Sequence, residues 1–565
     1  MDKRLLIALL LTAIVVAVTP VIFPTPRRTP PAAITSTTAT ATNRPQQATV
    51  EQPSVASQPT PSSPAVVPPT DSTADTTVAD TSSTVAAAAT RKVTTVTTDR
   101  SVYQFSNLGA ALASVSMREY KNLSPQKGNV ELNVPGRTLF RYSLVMQRDT
   151  IPLQGIPFQL SESQGSKGEK VLTYTAGVNG ANVVIAYEVS ADRYALGISG
   201  RVDNAPSPVF LLIDMPSSMP VTEADTLGDL RTRSYSFKPA RSNARGIPFG
   251  KLDPGEKQLE TGPLTWAAVR NKYFVIGLIS RESMSFDEMT ITGGTRTSKV
   301  ATTASATVVK AIKNGTFGFD VYIGPQQSTQ LLSMGRDFDH VNPYGWSFLQ
   351  PVVNPIAALC IKLLLWLHDH LKLSYGWVLV LFGVFIRIAL WPLNQSAMRS
   401  SLRMQEIQPR LAEVQKKYKE NPEKQREEMM RVYREAGASP FTALSGCLPV
   451  LIPMPVLFAL FFVFQNTIEF RGVPFMWLTD ISIKDPLYIL PLLMGISMYI
   501  LSWIGLRNAP PNPQAKMMSY MFPVMMTFVL ANMASGLNLY YTAQNIAALP
   551  QQWLLAKERQ KARKT

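Results

Sequence analysis

The sequence predicts an α-helical polytopic membrane protein of six spans that also carries a β-sandwich domain outside the cytoplasm. Three observations carry the prediction. Apolar runs of bilayer-crossing length occur at the N-terminus and through the C-terminal third. Between them lies a long region in which apolar and polar residues alternate with period two. Lysine and arginine are concentrated in particular connections between the spans. The 565 residues exceed one ordinary domain, and the 45% apolar content is unevenly spread. A net charge of +16 implies nucleic acid or anionic lipid as a partner, and where the charge sits must decide between them.

Residues 1–23 read as a transmembrane anchor: LLIALLLTAIVVAVTPVIF (5–23) follows Lys3 and Arg4. A cleaved signal peptide is the competing reading. Against it, the apolar run is longer than a usual signal core and leads into Pro24, Thr25 and Pro26 without a small-x-small site. Residues 24–95, rich in Pro, Thr, Ser and Ala, offer few large side chains to bury and read as a disordered linker. Residues 96–335 read as the β-sandwich. Its clearest hairpin sets VLTYTAG (171–177) and NVVIAYEV (182–189) on either side of Asn179 and Gly180, which suit a tight turn. Residues 336–374 hold a linker and an amphipathic helix from about 354, whose Lys362, His368, Asp369 and His370 place it along the interface.

Spans are expected at 375–394, 443–465, 486–504, 517–533 and 536–555. The 395–442 connection holds ten Lys/Arg and residues 556–565 form a basic tail, whereas the 466–485 loop has only Arg471 and Lys484. Both basic segments and both termini are therefore expected in the cytoplasm, with residues 24–374 largely on the other side. The 395–442 connection reads as a helical hairpin. Met404, Ile407, Leu411, Val414 and Tyr418 keep helical spacing in its first arm, and Asn421 caps the second with Pro422 at its first position. Its basic surface, with the tail, suits anionic lipid or ribosomal RNA, although most such surfaces are merely solvated.

Arg387 lies inside an apolar span, roughly 10 Å from its cytoplasmic end at 1.5 Å per residue. A guanidinium at mid-helix costs on the order of 2.5 to 3.5 kcal/mol, so it should face a hydrated cavity or find polar partners on neighbouring helices. Asn538, Tyr541 and Asn545 recur on one face of the last span, flanked by Tyr540 and Gln544. They are expected to face Arg387 across water, or to hold helices together. Pro449, Pro453 and Pro455 should bend the start of the 443–465 span. Cys360 and Cys447 read as buried thiols, and the three histidines lack the spacing of a metal site, so neither metal nor cofactor is expected. With no Walker A sequence, the chain reads as a non-enzyme.

Several segments in order resemble the YidC/Oxa/Alb membrane protein insertases, in the long Gram-negative form. They are YGWSFLQP (344–351), FIRIALWPL (385–393), GCLPVLIPMPVLFAL (446–460), DPLYILPLLMGISM (485–498) and GLNLYY (536–541), with WAAVRNKYF (266–274) and VYIGP (321–325) similar to the family's periplasmic domain. The resemblance implies a five-span insertase core around a hydrophilic groove. In it Arg387 matches the groove arginine, Tyr541 a groove tyrosine, and Met454 a substrate-contacting position. Two positions depart from the family pattern. Pro453 stands where Gln is common, and Gly383 where a polar residue often precedes the arginine by one turn, which makes Asn538 a candidate replacement. The implied role is a membrane protein insertase and chaperone in the bacterial inner membrane, acting alone or with the Sec translocon. Its partners would be nascent membrane proteins, ribosomes and anionic lipids. A transporter using Arg387, or a β-domain that binds glycan with the helices as its anchor, are the alternatives.

Overall fold

The computed structural model describes residues 90–562 apart from 167, 282–283, 298–299, 343–349, 393–394, 396–406, 408–409, 436–453 and 508–512. The N-terminal anchor, most of the linker, Pro449, Pro453, Met404 and Cys447 therefore lie outside the described residues. The β-domain begins slightly earlier than expected, with a strand at Val93–Thr97. Its VTTVT sequence is β-branched throughout and pairs antiparallel with Val102–Ser106, which overrides the Thr-rich composition that reads as linker.

Period-two alternation becomes two antiparallel sheets. The smaller has four strands in the order Val93–Thr97, Ser101–Ser106, Ala111–Lys121 and Asn129–Glu131, and the larger has fourteen. One hydrophobic core serves both. Tyr187 of the larger sheet sets its ring 4.9 Å from that of Phe105 in the smaller and donates its hydroxyl to the Ala110 carbonyl at 2.6 Å. A phenol can be buried there because its one donor is satisfied. The predicted hairpin forms as read: Lys170–Val178 pairs with Ala181–Val189, and Asn179 (φ 44°) and Gly180 (φ 83°) make a two-residue turn with both residues left-handed. Two short helices, α1 (Thr226–Thr232) and α2 (Ser328–Ser333), complete the domain.

The C-terminal region is helical: α3 (Gln350–Leu371), α4 (Tyr375–Ala389), α5 (Pro422–Glu435), α6 (Met454–Asn466), α7 (Ile489–Leu506), α8 (Pro513–Leu530) and α9 (Ser535–Ala562). Helix α9 packs on both α4 and α7, α8 on α7, and α6 on α3. Among the described residues, α3 and α7 are long and apolar enough to cross a membrane; α4, with 15 residues, and α6, with 13, are shorter. Helix α3, expected along the interface from about 354, runs for 22 residues. The bundle is apolar outside as well as inside. Trp377, Leu381, Phe385 and Ile388 of α4, Leu492, Ile496 and Trp503 of α7, and Met521, Val524 and Phe528 of α8 are all exposed. An apolar surface of that extent is what a helix surrounded by lipid requires.

The basic hairpin forms where described. Residues 410–417 are helical, and Leu411 is buried with Val432 and Tyr433 of α5. Asn421 caps α5 as expected, its Oδ1 accepting the Lys424 N–H at 3.2 Å.

Among the described residues, a buried ion pair links the β-domain to the bundle. Arg471, in the loop after α6, donates Nε to both carboxylate oxygens of Glu223 at 2.8 and 3.0 Å, and Nη2 to the Lys121 and Thr222 carbonyls at 2.9 and 3.0 Å. The two side chains are 5% and 3% exposed. Burial pushes the Glu223 carboxyl above its ordinary range, and Arg471 opposes that rise. Removing one partner strands the other charge away from water. Arg471→Ala is therefore expected to cost about 3 to 5 kcal/mol, seen as a lower thermal midpoint of the detergent-solubilised chain, and the joint replacement Arg471→Met with Glu223→Leu to lose distinctly less.

Candidate functional site

The polar groups of the bundle gather where α4 meets α9. That approach is set by Gly383, where an added Cβ would stand 3.0 Å from the Tyr540 carbonyl oxygen, 3.3 Å from the Ala543 Cβ and 3.4 Å from the Gln544 nitrogen. Gly383, expected to flank a groove, thus serves as the contact that lets two backbones touch. Tyr540 fills the space beside it, fully buried, with its ring 5.8 Å from that of Phe382.

One turn beyond Gly383, Arg387 donates Nη2 to Gln551 Oε1 at 2.8 Å. Its Nε is buried without a hydrogen-bond partner among the described residues. Gln551 is fully buried, and its own amide nitrogen donates to the Trp391 carbonyl at 3.4 Å and to Gln395 Oε1 at 3.3 Å. The guanidinium is thus held by a neutral amide from α9, and its Nε donor is unused among the described residues.

The stripe expected to face Arg387 is divided among other neighbours. Asn538 is buried in the first turn of α9, where Nδ2 donates back to the Leu530 carbonyl at the end of α8 at 3.0 Å and Oδ1 has no partner among the described residues. Asn545 donates Nδ2 to Ser497 Oγ on α7 at 3.0 Å. The Tyr541 hydroxyl is buried, with no partner among the described residues. Met454, half-buried, is the first described residue of α6, with Pro455 next to it. The reason for the division is rotational. Asn538, Tyr541 and Asn545 do share a face, but along α9 that face passes from the α8–α9 turn to α7. Helix α4 meets the neighbouring face, that of Tyr540 and Gln544. Extending this pair by seven residues from Gln544 reaches Gln551, so the heptad was the sequence signal for Arg387's partner.

The β-domain has a cavity of about 660 Å³ lined by Arg137, Arg141 and Asp214 among others. Arg141 is paired with Asp214 at 3.4 Å and Arg137 donates to Ser217 at 3.1 Å. Asp214 is the only carboxylate among the described lining residues, so the paired acid and base of glycoside hydrolysis are not assembled there.

Residues 93–358 match the family described as YidC periplasmic domain, and residues 366–563 match that described as 60Kd inner membrane protein. The chain belongs to the YidC membrane protein insertase family. The Membrane protein insertase YidC of Chloroherpeton thalassium is 29% identical over 516 residues, covering 82% of each chain. That of Pelodictyon phaeoclathratiforme is 34% identical over 335 residues, covering 54% of this chain and 55% of the relative. A solved structure described as an active YidC insertase with the first transmembrane domain resolved is 20% identical, covers 82% of this chain and 93% of its own, and has a TM-score of 0.33. The two family matches coincide with the β-domain and the helical bundle, and Arg387, Gln551 and the whole of α9 to residue 562 fall within the second.

Because Gly383 sets the distance between α4 and α9, Gly383→Leu is expected to overpack the contact. It should lower the thermal midpoint of the solubilised chain by the equivalent of roughly 1 to 3 kcal/mol and weaken the Arg387–Gln551 contact with it.

Proposed function

We propose that this chain is a membrane protein insertase of a bacterial inner membrane, and that Arg387 forms the floor of a groove through which the polar tail of a client helix enters. The observation that carries this reading is a charged guanidinium held inside an apolar bundle by a neutral amide, with Nε buried and without a partner among the described residues. Such a charge is costly to keep unless it serves an incoming polar or acidic segment. A client's tail gains a counter-charge there, which lowers the cost of leaving water, while its apolar helix moves against the exposed faces of α4, α7 and α8 into lipid. Transfer of each apolar residue contributes a few tenths of a kcal/mol, so a full span supplies its own driving force without nucleotide.

In this reading the chain has six spans with both termini in the cytoplasm and the β-domain in the periplasm. Met454 and Tyr541 line the client's path. The basic hairpin, including α5, and the basic tail contact ribosomal RNA or anionic lipid, and the chain works as a chaperone alone or beside the Sec translocon.

The test is site-specific crosslinking from positions 387, 454 and 541 to a ribosome-bound nascent membrane protein in vesicles. Crosslinks at these positions are expected; crosslinks confined to lipid-facing controls such as Phe385 would sink the groove. Arg387→Glu is expected to slow insertion of clients with acidic tails more than of clients with neutral tails, and equal slowing would exclude charge attraction.

A further inference from the structure

Gln551 is not among the residues that the apolar periodicity of the last span singles out, yet it is the described partner of the one charge inside α4. Its place is fixed from three sides. Oε1 accepts from Arg387 at 2.8 Å, and Nε2 reaches the Trp391 carbonyl and Gln395 Oε1. Trp391 is the second residue after α4, so the amide serves a backbone carbonyl as well as two side chains. The amide cannot be turned over. Flipped, its NH2 would oppose the guanidinium and its oxygen would oppose the Trp391 carbonyl. Pro550, immediately before it, withdraws the N–H that would bond the Ile546 carbonyl and loosens α9 at this point.

We infer that Gln551 is the resting partner of Arg387, a neutral amide oxygen that occupies the place a client carboxylate takes, and that it sets how strongly the groove discriminates in favour of acidic tails. This rests on the groove reading above. A hydrogen bond from a guanidinium to a neutral oxygen is weaker than one to a carboxylate, so an acidic tail displaces Gln551 and a neutral tail gains little by doing so. Nε, which has no partner among the described residues, gives the arriving carboxylate a second donor, the fork geometry that favours arginine for this task. A carboxylate built in at position 551 would stay bound and block the exchange; an apolar side chain of similar size would leave the guanidinium without a competitor.

The test is insertion into proteoliposomes of two single-span clients that differ only in an Asp-rich or an Asn-rich tail, read as the ratio of their rates. Gln551→Glu is expected to lower the acidic-to-neutral ratio by about tenfold, the gap between a charge-assisted and a neutral hydrogen bond. Gln551→Leu is expected to raise it. A role confined to packing would change both rates together and leave the ratio alone, and that result for either variant overturns the inference. If one variant does not accumulate as folded protein, the other decides by the direction of its shift. Arg387→Gln is measured in parallel to separate the two readings. Loss of the preference in Arg387→Gln with no shift in the Gln551 variants overturns the role of Gln551 alone. A preference that survives Arg387→Gln overturns the groove reading and this inference with it.

Discussion

A polar group inside a lipid-facing bundle has only other protein groups to satisfy it, and that constraint organises the helical half of this protein. Arg387 sits on a helix whose outer face, from Trp377 to Ile388, is apolar and exposed. Its partner must therefore come from the side that packs, and α9 supplies it as Gln551. The close approach at Gly383 keeps α4 near enough to α9 for this contact, and the same glutamine donates to the Trp391 carbonyl beyond α4. Among the described residues, Nε of Arg387, the Tyr541 hydroxyl and Oδ1 of Asn538 have no hydrogen-bond partner. Each of these is a cost in a static structure and an opportunity in one that receives a polar client.

The same requirement governs the junction with the β-domain. The loop between α6 and α7 is short of lysine and arginine, and its one arginine is buried against Glu223 rather than solvated. The loop itself is folded around carboxylates that serve backbone: Asp485 accepts the Leu487 and Leu490 N–H groups and the Trp477 indole, which caps the start of α7. Gly376 of α4 lies against the Phe475 ring of this loop, and the Tyr375 ring stands edge-on to Phe470. Arg471 thus ties the β-domain to the loop on which the first turn of α4 rests.

Local chemistry made much of this legible without a structure. Alternation with period two specifies strands because side chains alternate between faces, and Asn179–Gly180 specifies its turn because both residues tolerate positive φ. Asn421 and Pro422 specify a helix start because one accepts a free N–H and the other lacks one. Val93–Thr97 escaped because a β-branched run and a Thr-rich linker share a composition, and only pairing with Val102–Ser106 separates them. Arg387 stood out because a charge in an apolar run is costly wherever it lies.

The sequence by itself determined which segments are apolar, which alternate and which residue carries the buried charge, since these follow from side-chain chemistry and backbone period. It could not determine what each face of α9 meets. That depends on the rotation and neighbours of the helix, which place Asn545 on Ser497, Asn538 on the preceding turn and Gln551 on Arg387. Nor could it pair Arg471 with Glu223, 248 residues away, because only the packing of the β-domain against the loop removes both from water and makes each the other's necessary partner.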